Sequence, residues 1–435
     1  MADVAVALPH NTFKFRHVFA VSLGNGLEFY DFLSYALFSV YIGHAFFPAN
    51  DKSVSLLLSL AVFGIGFITR PIGAIVLGSL GDRIGRKPAM LISFLMMGLG
   101  MLGLALTPTY ASIGVAAPLL VIFFRLIQGF ALGGEIGPTT AYMVEAAPPE
   151  HRGLYGSMQY TTQDFAQVVA AVIALALTTV LTADQLQAFG WRIVFLIGVL
   201  IVPFGLYIRN NLPETLHAAD DAALAPDATR GSLSVRARLS GHWGLVIAGL
   251  MLLTTGTIGS YVLTYMTTYA LDTLHMTADI SFGVTVVSSG IAIIFEPVSG
   301  ILSDRCGRKP VIVAGFVATL LAVLPAFWLI NTYPSMTTLY GCIAVVSLLF
   351  AIATPPCIIA LTEGLPKTVR AGAVSTIYAF AISIFGGTTQ FAIKGLIYLT
   401  HNPLAPAYYW MGALVVGLIG ATLMRETAPV KVRRA

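Results

Sequence analysis

The chain has 435 residues, of which 57% are hydrophobic and only 10% charged, and its mean hydropathy is +0.84. Soluble domains are roughly 25% charged; a soluble core cannot absorb this much apolar surface, whereas a bilayer can, because a spanning helix needs ~20 largely apolar residues. The net charge of +4 comes with no basic stripe or base-stacking module, which argues against a nucleic-acid partner.

Apolar runs broken by turn and charge signals give an expected set of twelve spans. In chain order they lie near 17–42, 54–80, 89–107, 113–143, 154–181, 191–208, 243–271, 280–303, 310–331, 336–361, 371–399 and 405–424. Lys14 and Arg16 before the first span imitate the charged start of a secretory signal. That span contains Glu28 and Asp31 and no convincing cleavage site, so it reads as an uncleaved helix. Residues 209–241, with Pro213, Asp220, Asp221, Pro226 and Arg230, form the long polar segment between spans. They read as a cytoplasmic linker between an amino-terminal six-helix bundle (1–208) and a carboxy-terminal one (242–435). With the amino terminus inside, all Lys and Arg fall in cytoplasmic segments except Lys52 and Arg192 on the other side and Arg70, Arg125 and Lys394 within spans, so both termini are expected in the cytoplasm. Cys306, Cys342 and Cys357 are far apart in apolar surroundings and suggest neither a disulfide framework nor a metal site.

The two bundles echo one another. Gly78-Ser79-Leu80-Gly81-Asp82-Arg83-Ile84-Gly85-Arg86-Lys87-Pro88 returns as Gly300-Ile301-Leu302-Ser303-Asp304-Arg305-Cys306-Gly307-Arg308-Lys309-Pro310. Both copies sit between apolar runs, where Gly, Pro and charge belong in a loop at a membrane face. Glu145-Ala-Ala-Pro148 with Arg152 matches Glu363-Gly-Leu-Pro366 with Arg370, and Glu214-Thr215 matches Glu426-Thr427. Two related halves with a site between them near the midplane is a common transporter plan.

These paired loops resemble the loop signature of the major facilitator superfamily, over the whole chain. Gly24-Asn25-x-x-Glu28-x-x-Asp31-Phe32, Arg70-Pro71-x-Gly73 and Arg125-x-x-Gln128-Gly129 with Glu135 resemble, more narrowly, the metabolite:proton symporter family, and within it citrate and related carboxylate symporters. The resemblance implies an all-α polytopic membrane protein, with twelve helices in two pseudo-symmetric bundles. It also implies alternating access, proton coupling on the first helix and a small organic anion as substrate, citrate or a related di- or tricarboxylate. The other readings are a symporter of another metabolite, such as a zwitterionic osmolyte or an aromatic or keto acid, and a carboxylate sensor on the same fold. The carboxy-terminal Pro429-Val-Lys-Val-Arg-Arg-Ala has no heptads, unlike the coiled-coil tail of osmosensing members. A monomer in a bacterial inner membrane is expected, with the proton as coupling ion and no other cofactor.

The buried charges point the same way by themselves. Glu28, Asp31, Glu135, Asp164 and Glu296 lie inside spans with Arg70, Arg125 and Lys394. Each costs about 2.5–3.5 kcal/mol on the insertion scale unless it faces protein, water or substrate. Glu28 and Asp31, three residues apart, share a helix face, and two carboxylates so close relieve their repulsion by taking up a proton; alternatively, one anchors a neighbouring helix. Arg125 offers a fork suited to a carboxylate, of the substrate or of Asp31 in the empty state. Gln128, one turn on, either shares that ligand or packs helices. Arg70 and Glu135 lie at similar depth and form a candidate structural ion pair. Lys394 either snorkels at the outer end of its helix or attracts substrate. Asp164 can pair with Arg125 or join a proton path, and Glu296 precedes Pro297, where a broken helix would line a cavity.

Gln390, Tyr378 and Tyr265 are candidates to read the far end of the substrate or to bond helices together. Asp82, Arg83, Arg86, Asp304, Arg305 and Arg308, with Glu145, Arg152, Glu363 and Arg370, are placed to lock the cytoplasmic face between states, as the resemblance also implies. Gly98-x-Gly100-x-x-Gly103 matches a dinucleotide fingerprint, but no strand precedes it, and close helix packing explains it better. No phosphate loop, His-Glu-x-x-His or Gly-x-Ser-x-Gly occurs, so neither ATP-driven transport nor catalysis is indicated.

Overall fold

The computed structural model describes residues 26, 29–84, 86–133, 140, 143–144, 147–211, 243–366 and 370–432. They form helices and short connections, with no strand among them. In lipid every backbone polar group must be satisfied within its own segment, and a helix does this while presenting apolar side chains all round. Eight of the described helices are long and apolar enough to cross a membrane, and Leu91–Leu106 and Ala116–Leu132 are shorter apolar ones. Large apolar side chains such as Ile75, Leu200, Leu321 and Leu399 stay exposed on the outer surface, where lipid is their natural solvent.

The first helix comprises residues 29–37 and, after a turn at Phe38, α1 (Ser39–Phe46), beyond the expected end of that span at 42. The second is broken at Thr69 into α2 (Lys52–Ile68) and α3 (Arg70–Ile84), just ahead of Pro71, which brings no N–H. There follow α4 (Arg86–Leu106), α5 (Ala116–Leu132), α6 (Arg152–Val180) and α7 (Trp191–Asn211). After residue 243 come α8 (Trp243–Asp272), α9 (Ala278–Cys306), α10 (Arg308–Thr332), α11 (Met336–Ala353) and α12 (Pro355–Gly364), the last two parted at Thr354 before two prolines. A π-helical turn at Ile382–Gly386 divides α13 (Arg370–Ala381) from α14 (Gly387–Thr400), and α15 is Ala405–Leu423. Asp51 caps α2 through the Ser53 N–H at 2.8 Å, and Ser335 caps α11 through Thr338 at 3.1 Å. The linker expected at 209–241 lies, from residue 212, outside the described residues.

The charged turns differ from expectation. Asp304 and Arg305 belong to the last turn of α9 and Arg308 opens α10, so the connection shrinks to Gly307, at φ 105°. Its positive φ suits glycine, and an added Cβ would meet the Glu426 carboxylate. The other copy behaves alike in backbone: Asp82 and Arg83 close α3 and Arg86 opens α4.

Glycines let the helices touch. A Cβ on Gly73 would strike the Phe130 carbonyl, and one on Gly129 the Gly66 carbonyl, so the glycines of both arginine motifs seat α2 and α3 on α5. Gly100 and Gly103 abut the side chains of Gln128 and Phe124, which places the false dinucleotide fingerprint in the α4–α5 contact. Between the helices before residue 212 and those after 242, α6 against α9 is the most extensive pairing.

Candidate functional site

A cavity of about 100 Å³ lies between these two groups of helices, walled by residues 29 and 33 of the first helix, by α6, and by α8, α9, α11 and α13. It is polar on two sides. Asp164 comes from α6 and Glu296 from α9, and their carboxyls are within hydrogen-bond reach of one another, with Ser289 beside Asp164 and Thr161 beside Glu296. Gln167 of α6 donates to Thr264 of α8 at 3.2 Å. Tyr378 and Tyr261 complete the lining, and no Arg, Lys or His contributes to it. Asp164 thus stands with Glu296 and forms no ion pair with Arg125. Pro297 leaves α9 continuous, yet Glu296 reaches the cavity.

The cations lie behind an aromatic layer. The Arg125 guanidinium is fully buried, donates from Nη1 to Gln128 Oε1 at 2.8 Å, and sits 4.8 Å from the Phe32 ring, 4.6 Å from Tyr35 and 5.5 Å from Phe63. The Arg70 guanidinium lies 4.5 Å from the Phe32 ring and 4.1 Å from the Phe67 ring. Each ring face attracts a cation by on the order of 1–2 kcal/mol once desolvated. That does not satisfy the N–H groups: Nε and Nη2 of both arginines lack a hydrogen-bond acceptor, as do both oxygens of fully buried Asp31 a donor. Asp31 and Arg125 are close enough to feel each other's charge but form no ion pair. The Gln128 Nε2 and both amide atoms of Gln390 are unpartnered too.

Tyr261 is the partition. Its ring packs against Phe32, Phe63 and Phe67 at 6.3, 5.9 and 5.7 Å and also faces the cavity. Of the residues expected to bind substrate, Tyr378 therefore lines the cavity, while Arg125 and Gln128 stand one aromatic layer away and Gln390 and Tyr265 are buried outside its lining. Lys394 is neither snorkelling nor free: it donates to Asp272 Oδ2 at 2.6 Å and to Ser53 at 3.2 Å. The pair joins α14 to the end of α8 and to the start of α2, because Asp272 closes its helix at the same depth. Glu28 and Glu135 fall outside the described residues, and with Glu135 the expected pair with Arg70.

Among the described residues, contacts join the two groups of helices on both faces of the molecule. On the Lys394 face, Ser39 bonds Thr268 at 3.0 Å, and a Cβ on Gly64 would collide with the Gly387 carbonyl, so α2 and α14 run in backbone contact. On the opposite face, Asp304 accepts the N–H groups of Gly153 at 2.8 Å and Leu154 at 3.1 Å, capping α6 from across the interface. Arg308 binds Asp304 at 2.8 Å and Glu363 at 3.1 Å. Glu426 accepts the backbone N–H groups of Arg308 and Lys309 at 2.8 and 3.1 Å. Arg370 turns back to the Leu365 carbonyl, Arg152 is half-buried next to the Asp304 cap, and Arg305 is exposed. The side chains of Asp82, Arg83 and Arg86, and all of Glu145, lie outside the described residues.

Tyr261 stands beside Tyr265 and Tyr378 as a hydroxyl legible in the sequence, whereas Phe32, Phe63 and Phe67, Asp272 and Glu426 are not singled out there as site residues. Phe32 had a signal, standing next to Asp31 in the first-helix motif, and Glu426 had one in its echo of Glu214.

The sequence model of the Major Facilitator Superfamily matches residues 26–389 and, in a second match, 274–434. The chain belongs to this superfamily. It is 36% identical to a citrate-proton symporter of Klebsiella pneumoniae over 96% of this chain and 93% of the relative. It is 30% identical to a proline/betaine transporter of Salmonella typhimurium over 95% of this chain and 84% of the relative. The crystal structure of a D-xylose-proton symporter superposes with a TM-score of 0.74 at 20% identity, covering 95% of this chain and 98% of the other. The facilitator fold of an integral membrane transporter is thereby established.

Proposed function

We propose that this facilitator is a proton-coupled symporter of an organic carboxylate, citrate or a related di- or tricarboxylate, working by alternating access. The observation that carries this reading is the pair of buried guanidinium groups, Arg70 and Arg125, whose Nε and Nη2 lack acceptors while both oxygens of buried Asp31 lack donors. Leaving such groups unpaired costs several kcal/mol, a cost that a ligand carboxylate offsets with bidentate hydrogen bonds. The similarity to a citrate-proton symporter over nearly the full length supports the substrate class.

In this mechanism a proton on Asp31, or on Glu28 beside it, removes the negative charge that opposes the incoming anion. Proton and substrate then bind with positive coupling. Tyr261 swings aside to join the arginines to the cavity, Arg125 and Gln128 hold one carboxylate, and Tyr378 meets the far end. The two six-helix bundles, joined by the 209–241 linker, rock about this site. The Asp304–Arg308–Glu363 network locks the cytoplasmic face and the Lys394–Asp272–Ser53 contact locks the outer one. The protein acts as a monomer in the bacterial inner membrane with both termini inside, and needs no cofactor besides the proton.

A zwitterionic osmolyte is the second reading, favoured by one observation: the cavity wall has two acids and aromatic rings but no cation, a setting suited to an ammonium group. Uptake of labelled citrate into proteoliposomes under an inward proton gradient, with betaine and di- and tricarboxylates as competitors, decides between them. Gradient-driven citrate uptake lost in Arg125→Ala supports the carboxylate reading; betaine uptake with none of citrate replaces it.

A further inference from the structure

We infer that Asp164 and Glu296 hold one shared proton across the contact of α6 with α9, forming a proton site on the cavity wall that is separate from Asp31. The inference rests on the symport reading for its role in coupling, and on geometry for its existence.

Two ionised carboxylates have only acceptors, so carboxyls within hydrogen-bond reach of each other need a proton between them. One comes from a helix before the 212–242 segment and the other from a helix after it, so the proton bridges the two groups of helices. Glu296 is 3% exposed, and its Oε2 has no hydrogen-bond partner although the residue lines the cavity. The cavity is thus where the proton arrives and leaves. Other ionisable groups nearby cannot replace it. Tyr160 of α6, Tyr261 of α8, Tyr378 of α13 and Cys357 of α12 are all neutral when protonated, and the charge of Arg70 is felt by Tyr261 and Tyr378. At the far end of the same two helices, Arg152, Asp304 and Arg305 lie about 12–18 Å away along the helical rise.

Loss of the proton leaves two facing negative charges on α6 and α9 with no lining cation to offset them. Repulsion then parts the helices at the cavity, and the Asp304 cap and the Gly153–Gly300 backbone contact are left to hold their ends together. The proton works as a latch: bound, it lets α6 and α9 close; released as H⁺ to cavity water, it favours opening. No bond other than O–H forms or breaks.

Infrared spectroscopy of the purified, unliganded protein at neutral pH tests the site itself. A protonated-carboxyl C=O band is expected in wild type, diminished by the same amount in Asp164→Asn and in Glu296→Gln. It should be retained, with altered frequency, in the swapped variant Asp164→Glu/Glu296→Asp, which keeps the pair should a single variant fold poorly. Band intensity unchanged in both folded single variants overturns the inference, whatever the substrate proves to be.

The coupling role is read in proteoliposomes as citrate exchange against proton-driven accumulation. Glu296→Gln should keep exchange while accumulation falls by about tenfold or more and the proton-to-citrate ratio drops by about one. Accumulation and ratio both unchanged overturn the latch. If wild type transports no citrate, the symport reading fails while the infrared result still decides the shared proton.

Discussion

Replacing Asp304 by Asn tests whether the contact that caps α6 holds its face shut. Asp304 makes two bonds to the backbone N–H groups of Gly153 and Leu154 and one ion pair to Arg308, all within 3.1 Å. A side-chain cap is worth ~1 kcal/mol and a hydrogen bond to a charged group about 1.5–3 kcal/mol. Asn keeps one acceptor oxygen and loses the charge, so the net loss is about 2 kcal/mol, or about 30-fold in the ratio of open to closed molecules at 1.4 kcal/mol per factor of ten. Cys357 is the reporter: it is buried on α12 between cavity-lining Thr354 and Glu363 of the network, whereas Cys306 is exposed. In a Cys306→Ser/Cys342→Ser background, modification of Cys357 by a maleimide should quicken by about 30-fold on Asp304→Asn, provided opening is fast relative to labelling. An unchanged rate in a folded variant refutes the reasoning, since it means the α6–α9 end is held by packing and not by the carboxylate.

Further outcomes follow from the same geometry. Lys394→Met leaves Asp272 without its cation and should destabilise the detergent-purified protein more than Lys394→Met/Asp272→Asn does. Thermal unfolding should give a coupling of about 1–3 kcal/mol, and additive losses would mean the pair is incidental. Gly300→Val drives a side chain into the Gly153 backbone, so Cys357 labelling should rise as it does for Asp304→Asn. Normal labelling would show that the backbones can part without cost. Arg125→Lys keeps the charge but loses the fork, and should raise the KM for citrate uptake by about 10–100-fold. A KM unchanged from wild type would remove Arg125 from the substrate site.

Much of this was legible in the chain because membrane spans are written in composition and buried charges stand out against them. Arg70, Arg125, Asp31, Asp164 and Glu296 could be flagged by cost alone, and the repeated loop pointed to Asp304 and Arg308. Partners were not legible. Asp164 and Glu296 lie on helices far apart in sequence, as do Lys394 and Asp272, and only the crossing of α6 with α9 and of α8 with α14 brings each pair together. The aromatic layer escaped because Phe32, Phe63 and Phe67 score as ordinary lipid-compatible residues, and nothing in their spacing tells a ring that covers a guanidinium from one that faces lipid. The charged turn was read as a loop because Gly and charge usually end helices. Here Arg308 pairs with Asp304 and the Gly153 N–H donates to it, so its charge is satisfied within the fold and α9 continues to Cys306.

The separation of acids from arginines sets the last test. Asp164 and Glu296 face the cavity, Arg70 and Arg125 do not, and the Tyr261 ring stands between. Were the arginines permanently open to the cavity, an anion would bind with no need of a proton, and coupling would leak. Tyr261→Ala removes the ring and should therefore strengthen citrate binding to the unprotonated protein while weakening proton-driven accumulation. Tyr261→Phe keeps the ring against Phe32, Phe63 and Phe67 and should accumulate as wild type does. Calorimetric titration with citrate at high pH, beside accumulation in proteoliposomes, reads both effects. Weaker binding in Tyr261→Ala would mean that the phenol is a ligand of the anion and that the partition lies elsewhere.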